Sequence, residues 1–146
     1  MSGMSGIRRE LRLEGICAVP VTETPDFTYA GIPGAAERIG WKIGFFREQG
    51  ASLTGAIWFS EIETDSERAL CDQILRAVGF PVGMGADLQA FCRAFGTDYT
   101  TEEILEGSTR YGWRPDADSR IACEFADGKA VWLEIVFSRA IAESLL

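Results

Sequence analysis

Apolar and polar residues alternate along the last third of the chain. This alternation predicts three β-strands, because successive side chains of a strand point to opposite faces. The strands are predicted at 109–114, 119–125 and 129–137. An Asp127-Gly128 pair between the last two indicates a hairpin turn. The apolar rows of these two strands contain the following residues: Ile121, Cys123 and Phe125, then Val131, Leu133, Ile135 and Phe137.

The orientation of these two rows determines the predicted length of the turn. A two-residue turn would pair Phe125 with Ala130 and put the rows on opposite faces. A three-residue loop at 126–128 pairs Cys123 with Val131, so that both rows share one face. We therefore predict the three-residue loop. On the other face, this register places two pairs opposite each other: Arg120 with Glu134, and Ala122 with Trp132.

The first half of the chain has weaker patterns. Alternation over 11–21 predicts a strand, and 27–32 predicts a short strand that is followed by a loop or one helical turn at 33–40. Segments 41–46 and 53–62 predict the two strands of a hairpin. One face of the first hairpin strand is predicted to carry three large residues: Trp41, Ile43 and Phe45.

Helical signals occupy the middle of the chain. Thr64 and Glu67 have the spacing of a capping box, and Gly79 is typical of a left-handed residue that ends a helix. A second helix is predicted to end at Gly96, and a third, short helix is predicted at 101–106. The apolar stripes of the first two helices contain these residues: Leu70, Cys71, Ile74, Leu75 and Val78, then Leu88, Phe91, Cys92 and Phe95.

Together these elements predict an α+β fold, with an antiparallel sheet and two to three helices packed on one face. The length of 146 residues and the hydrophobic content of 47% suit one domain with its own core. We predict a single domain at 7–146. Residues 1–6, in which Met-Ser-Gly occurs twice, are expected to be disordered or tag-derived.

The charge of the chain narrows the classes of partner. The chain has 14 Lys+Arg against 22 Asp+Glu, a net charge of −8. Nucleic acids and anionic membranes attract basic surfaces, so both are disfavoured as partners, whereas a basic protein would be attracted. The absence of histidine removes Ser-His-Asp catalysis and imidazole metal ligands. We therefore expect no metal and no cofactor, and we assign no catalytic residue.

The cysteines and the hydropathy of the chain bear on its location. None of the four cysteines lies in a C-x-x-C spacing, which favours free, buried thiols. The N-terminal region has no apolar signal segment, and the chain has no run of about 18 apolar residues. We expect a cytoplasmic protein. The cysteines are Cys17, Cys71, Cys92 and Cys123.

Two short motifs allow a binding interpretation and a plainer one. Gly79, Gly83 and Gly85 precede a helix, where a phosphate could bind, but no Gly-Lys-Ser/Thr follows and an inter-helix turn is favoured. Asp116 and Asp118 could begin a calcium loop, but they lack the Gly and Glu of an EF-hand. Turn formation is favoured there as well.

The candidate site lies on the outer face of the predicted sheet, opposite the apolar rows. Aromatic and arginine side chains amid charge are typical of interface hot spots. Two explanations stay open: the face binds a partner, or another segment such as 11–21 covers the tryptophans. The two glutamates could form a catalytic pair, although ion pairing on a sheet surface is favoured. The candidate partner-binding residues are Trp58, Trp132, Arg120, Glu124 and Glu134, with Lys42 across from Trp58.

Residues 80–137 carry a series of short motifs in a recognisable order. The series comprises Val82-Gly83-Met84-Gly85, a helix ending in Phe95-Gly96, a Tyr111-x-Trp113 strand, and Phe125-x-Asp127-Gly128-Lys129 closing a hairpin. This order resembles the repeat of the β-lactamase-inhibitor-protein family and that of the small outer-membrane assembly lipoproteins. The resemblance implies a bacterial module in which helices precede an antiparallel sheet that receives a partner protein.

These observations lead to two hypotheses of different class. The first is a non-catalytic protein-interaction module of the inhibitor or immunity-protein kind, which binds an unknown, basic protein through a sheet face. The alternative is a small-molecule-binding or carboxylate-based enzymatic domain with an apolar pocket. A deep pocket with convergent acids would favour the alternative, and exposed tryptophans on the sheet would favour the first.

Overall fold

The computed structural model describes residues 7–10, 20–49, 53–105 and 107–144. Its described elements are eight strands in one antiparallel sheet and three helices, which confirms the predicted α+β class. In chain order they are β1 (Thr22–Tyr29), β2 (Ile32–Ile39), β3 (Ile43–Glu48), β4 (Thr54–Phe59), α1 (Asp65–Val78), α2 (Leu88–Phe95), β5 (Thr100–Leu105), β6 (Ser108–Trp113), β7 (Arg120–Ala126), β8 (Lys129–Val136) and α3 (Arg139–Ser144).

The sheet consists of two four-stranded meanders joined side by side. The strand order is β1-β2-β3-β4-β8-β7-β6-β5, so that β4 pairs with β8 at the centre. Helices α1 and α2 connect the meanders and pack on one face. The main core between these helices and the sheet includes Ile74 and Val78 of α1, Phe91 of α2, and Phe59 and Leu133 of the central strands.

Helix α1 begins and ends as its sequence predicts. The Thr64 hydroxyl accepts a hydrogen bond from the Glu67 amide at 3.2 Å, and the Glu67 carboxylate accepts one from the Thr64 amide at 2.9 Å. Gly79 ends the helix in the left-handed conformation, with φ of 77°. These local bonds satisfy backbone groups that a helix terminus would otherwise leave unpaired.

The sheet bends strongly over the face opposite α1 and α2, which we call the outer face. Tyr29 on β1 hydrogen-bonds Glu134 on β8, although three strands separate them in the sheet order. In a flat sheet the two strands would lie about 19 Å apart, at ~4.8 Å per strand. Two glycines allow close packing on this face. A Cβ at Gly34 would collide with the Arg47 backbone oxygen and the Phe46 ring, and a Cβ at Gly44 would collide with the Trp58 ring.

A second, smaller cluster of buried residues forms inside this bend. Phe46 of β3 and Val136 of β8 are fully buried there, together with Ile141 of α3. Phe27 and Tyr29 of β1 pack against the cluster. Helix α3, which the sequence patterns do not predict, therefore packs against the cluster on the outer face, whereas α1 and α2 lie on the opposite side.

Three predicted elements are wrong. In the segment 33–40, residues 33–39 belong to strand β2 rather than a loop or helical turn, because Ala30 and Gly31 make a two-residue turn with positive φ that returns the chain along β1. In the segment 101–106, the described residues 101–105 belong to strand β5 rather than a helix, because pairing with β6 supplies their hydrogen bonds. Trp41 lies in the turn before β3 and is exposed rather than sharing a face with buried Ile43.

The predicted three-residue loop between β7 and β8 is also wrong. Asp127 and Gly128 form a two-residue turn, both with positive φ, at 52° and 75°. A register shift between Glu124 and Phe125 then leaves Val131 as an extra residue, and this β-bulge returns both apolar rows to one face. The observed pairs are Cys123 with Leu133, Ile121 with Ile135, Arg120 with Val136, Ala122 with Glu134, and Glu124 with Trp132.

The predicted strand at 11–21 falls almost entirely on residues 11–19, which lie outside the described part of the chain.

Candidate functional site

Five of the six candidate residues lie on the outer face of the sheet. Trp58 of β4 lies opposite Glu134 of β8, and Trp132 of β8 lies opposite Glu124 of β7. Arg120 of β7 has the same side-chain direction as Glu124 because it is four residues away along the strand. The alternation of side chains along each strand was therefore sufficient to place these residues on a common face, although the predicted pairs were shifted.

Trp58 is half-buried, and aromatic side chains of β1 lie against its ring. Its ring stacks nearly parallel to Phe27 and Tyr29, with centroids 5.9 Å and 5.4 Å away. The guanidinium of Arg38 lies 5.6 Å from the ring centroid, and the indole rests against the backbone at Gly44. Strand β1 therefore covers part of the Trp58 ring, which packs against the second cluster. Residues 11–19 of the other predicted cover lie outside the described part of the chain.

Tyr29 and Glu134 form the polar end of this stack. The Tyr29 hydroxyl donates to Oε2 of Glu134. Burial, and then the negative charge of Glu134, raise the pKa of the Tyr29 phenol far above its usual range, while Arg120 and Arg110 act in the opposite direction. The phenol therefore stays protonated and donates to a carboxylate, which links β1 to β8 across the bend.

Trp132 has a different environment, on the part of the outer face formed by β6, β7 and β8. Nε and Nη2 of Arg110 donate to Oε2 of Glu124 at 3.0 Å and 2.7 Å. The same guanidinium lies 3.9 Å from the centroid of the Trp132 ring, a cation–π contact. Trp132 is half-buried and belongs to neither hydrophobic cluster of the described residues. We call these three residues the Trp132 patch.

Arg110 was not among the predicted site residues, although strand alternation could have placed it there. It lies on the predicted strand at 109–114, on the face opposite the aromatic residues Tyr111 and Trp113. Its pairing with Glu124 depends on the register between β6 and β7, which no turn motif in the sequence specifies.

Lys42 does not lie across from Trp58, because Gly44 occupies that position. The ammonium of Lys42 donates to the backbone oxygen of Glu61 at 2.8 Å and pairs with the carboxylate of Glu67 at 2.5 Å. Lys42 therefore contacts the start of α1, which packs on the opposite side of the sheet from the Trp132 patch.

The glycine loop before α2 has contacts that fit an inter-helix turn. The carboxylate of Asp72 accepts a hydrogen bond from the Met84 amide at 2.8 Å, next to Gly83. The carboxylate of Asp87 caps α2 by accepting from the Ala90 amide at 2.9 Å. Because both carboxylates carry negative charge where a phosphate would bind, the loop is poorly suited to an anion.

The Asp116 motif likewise has the contacts of a turn. The carboxylate of Asp116 accepts from the Asp118 amide at 2.9 Å and from the Ser119 hydroxyl, and Asp118 pairs with Arg139 at 2.7 Å. Among the residues that the structure describes, no group of three or more acidic, cysteine or histidine residues has the geometry to hold a metal ion.

Two cysteines are buried in the main core: Cys71 of α1 and Cys123 of β7. Burial is the main cause that raises the pKa of the Cys71 thiol to about 12, and burial also raises the pKa of Cys123 well above its usual range. Both thiols are therefore poor nucleophiles at neutral pH.

A cavity of about 540 Å³ opens at the ends of β1, β2 and β3, away from the two candidate glutamates. Its lining includes Asp26, Phe27, Arg47 and Glu48. Glu124 and Glu134, the carboxylates of the alternative hypothesis, do not line this cavity and accept hydrogen bonds from Arg110 and Tyr29.

Comparison with protein-family models, with curated proteins and with solved structures found no match to this chain. Within the described residues, no helix has the length and apolar character needed to cross a membrane.

Proposed function

We propose that this chain is a non-catalytic protein-interaction module whose outer sheet face binds a partner protein through the Trp132 patch. The observation that carries the proposal is the contrast between the two tryptophans of this face. Strand β1 covers Trp58, whereas Trp132 has Arg110 stacked on it and packs into neither cluster of the described residues.

The chemistry of the patch suits protein recognition. Trp and Arg are the residue types most enriched at interface hot spots. The Glu124 carboxylate holds the Arg110 guanidinium against the ring, so the side chains are ordered before a partner arrives and less entropy is lost on binding. The net charge of −8 favours a basic partner. The inhibitor or immunity-protein class rests on the resemblance of residues 80–137 alone.

The test compares the wild-type chain with two variants as baits in lysate of the source organism. Trp132→Ala removes the centre of the patch, and Gln73→Ala alters an exposed residue of α1 as the matched control. We expect a protein that is retained by the wild type and by the control but is lost with Trp132→Ala. With that protein purified, Trp132→Ala should weaken Kd about 30-fold, which corresponds to ~2 kcal/mol. Equal retention by all three baits, or an unchanged Kd, would contradict the proposal.

A further inference from the structure

Trp41 is the most exposed large hydrophobic residue in the described part of the chain. It lies in the tight turn between β2 and β3, next to Gly40 with φ of 61°, and its exposed fraction is 89%. The only other large hydrophobic residue exposed there is Leu105, at 72%. Tryptophan normally buries most of its surface, so one that is held in a turn and presented to solvent is a candidate binding residue.

Trp41 helps to line an apolar hollow. It has a volume of about 260 Å³, and its walls include Ile39, Ile43, Ile62 and Leu70 as well as Trp41 itself. A volume of this size accepts one large apolar side chain. Ring and hollow together make a continuous apolar surface between the β2–β3 turn and α1, which we call the Trp41 surface.

The border of the Trp41 surface is acidic. Lys42 pairs with Glu67, and this hydrogen bond, followed by the charges of Glu67, Glu63 and Glu61, raises the pKa of the Lys42 ammonium. Three carboxylates therefore lie near a single ammonium. Asp65 adds a fourth carboxylate at the start of α1, where Arg68 pairs with it at 3.0 Å.

We propose that the Trp41 surface is a second docking site, which binds a segment of another protein that has an apolar side chain flanked by lysine or arginine. The apolar side chain fills the hollow against the indole, and the flanking cations meet the carboxylates of the border. A second copy of this chain fits less well, because it would bring the same acidic border and a net charge of −8 against itself.

This site is separate from the Trp132 patch. Its walls come from the β2–β3 turn and from α1, on the side of the sheet opposite the patch. The two proposals therefore succeed or fail independently, and variants at either tryptophan serve as controls for the other.

The test uses two synthetic peptides, one of alternating leucine and lysine and one of alternating leucine and glutamate. Each is titrated into the ¹⁵N-labelled chain, whose four tryptophans give one indole N–H signal each. We expect the lysine peptide to shift the Trp41 indole signal and not that of Trp132. We also expect Trp41→Ala to weaken binding at least tenfold, whereas Trp132→Ala does not, and added salt to weaken the complex.

Several results would overturn the proposal. Equal binding of the two peptides would show that charge does not select the partner. If neither peptide binds, or if the lysine peptide binds Trp41→Ala as well as the wild type, the Trp41 surface is not the binding site. Sedimentation velocity supplies the remaining comparison: a concentration-dependent dimer that disappears in Trp41→Ala would show that a second copy is the occupant.

Discussion

The two tryptophans of the outer face provide a matched pair for a stability experiment. Both lie on the same face of adjacent strands, so truncation to alanine removes the same side chain from neighbouring places. Their surroundings differ. Trp58 is stacked against Phe27 and Tyr29, whereas Trp132 contacts the Arg110 guanidinium.

We expect Trp58→Ala to destabilise the fold far more than Trp132→Ala. Removing the Trp58 indole leaves a cavity between β1 and β4, and truncating a large aromatic residue in such a place costs about 3–5 kcal/mol. Trp132 is half-buried and belongs to neither described cluster, so removing its indole loses mainly the cation–π contact, which is worth about 1 kcal/mol.

Urea unfolding followed by circular dichroism measures the difference. With a urea dependence of about 2 kcal/mol per molar, the midpoint should fall by about 2 M for Trp58→Ala and by about 0.5 M or less for Trp132→Ala. Equal falls, or a larger fall for Trp132→Ala, would refute both the packing argument and the assignment of Trp132 to an open patch.

Two further predictions concern the same bend of the sheet. Because the Tyr29 pKa is raised on folding from an ordinary value of 10.0, the stability that the phenol contributes is complete below pH 10 and is lost as the pH rises above it. Above pH 10 the free energy of unfolding should therefore fall by up to ~1.4 kcal/mol per pH unit. An equally steep fall in Tyr29→Phe at alkaline pH would show that ionisation of this phenol is not the cause. Gly44→Ala should cost about 1–3 kcal/mol, because the new methyl group would collide with the Trp58 ring. The cost should drop below ~1 kcal/mol when Gly44→Ala is made in a Trp58→Ala background, and additive costs would show that the two positions are not in contact.

Local chemistry in the sequence was enough to determine several features of this protein. The capping box at Thr64 and the left-handed Gly79 define α1, since both depend on atoms within a few residues. Alternation places Trp58 and Trp132 on the outer face, because a strand repeats every two residues whatever its neighbours are. The predicted face of Trp132 is correct although the predicted turn at Asp127 is wrong, because the β-bulge compensates for the shorter turn.

Other features depend on residues that are distant in the sequence, and the tertiary structure decided them. Segment 33–40 has small residues and a weak strand signal, and it became β2 through pairing with β1 and β3 on both sides. Segment 101–106 has helical composition, but pairing with β6 made most of it strand β5. The two tryptophans shared a pattern and still differ in environment, because only the bend of the sheet brings β1 over Trp58 and leaves Trp132 to Arg110. Strand periodicity specifies the direction of a side chain, whereas its burial depends on which distant segment lies above it.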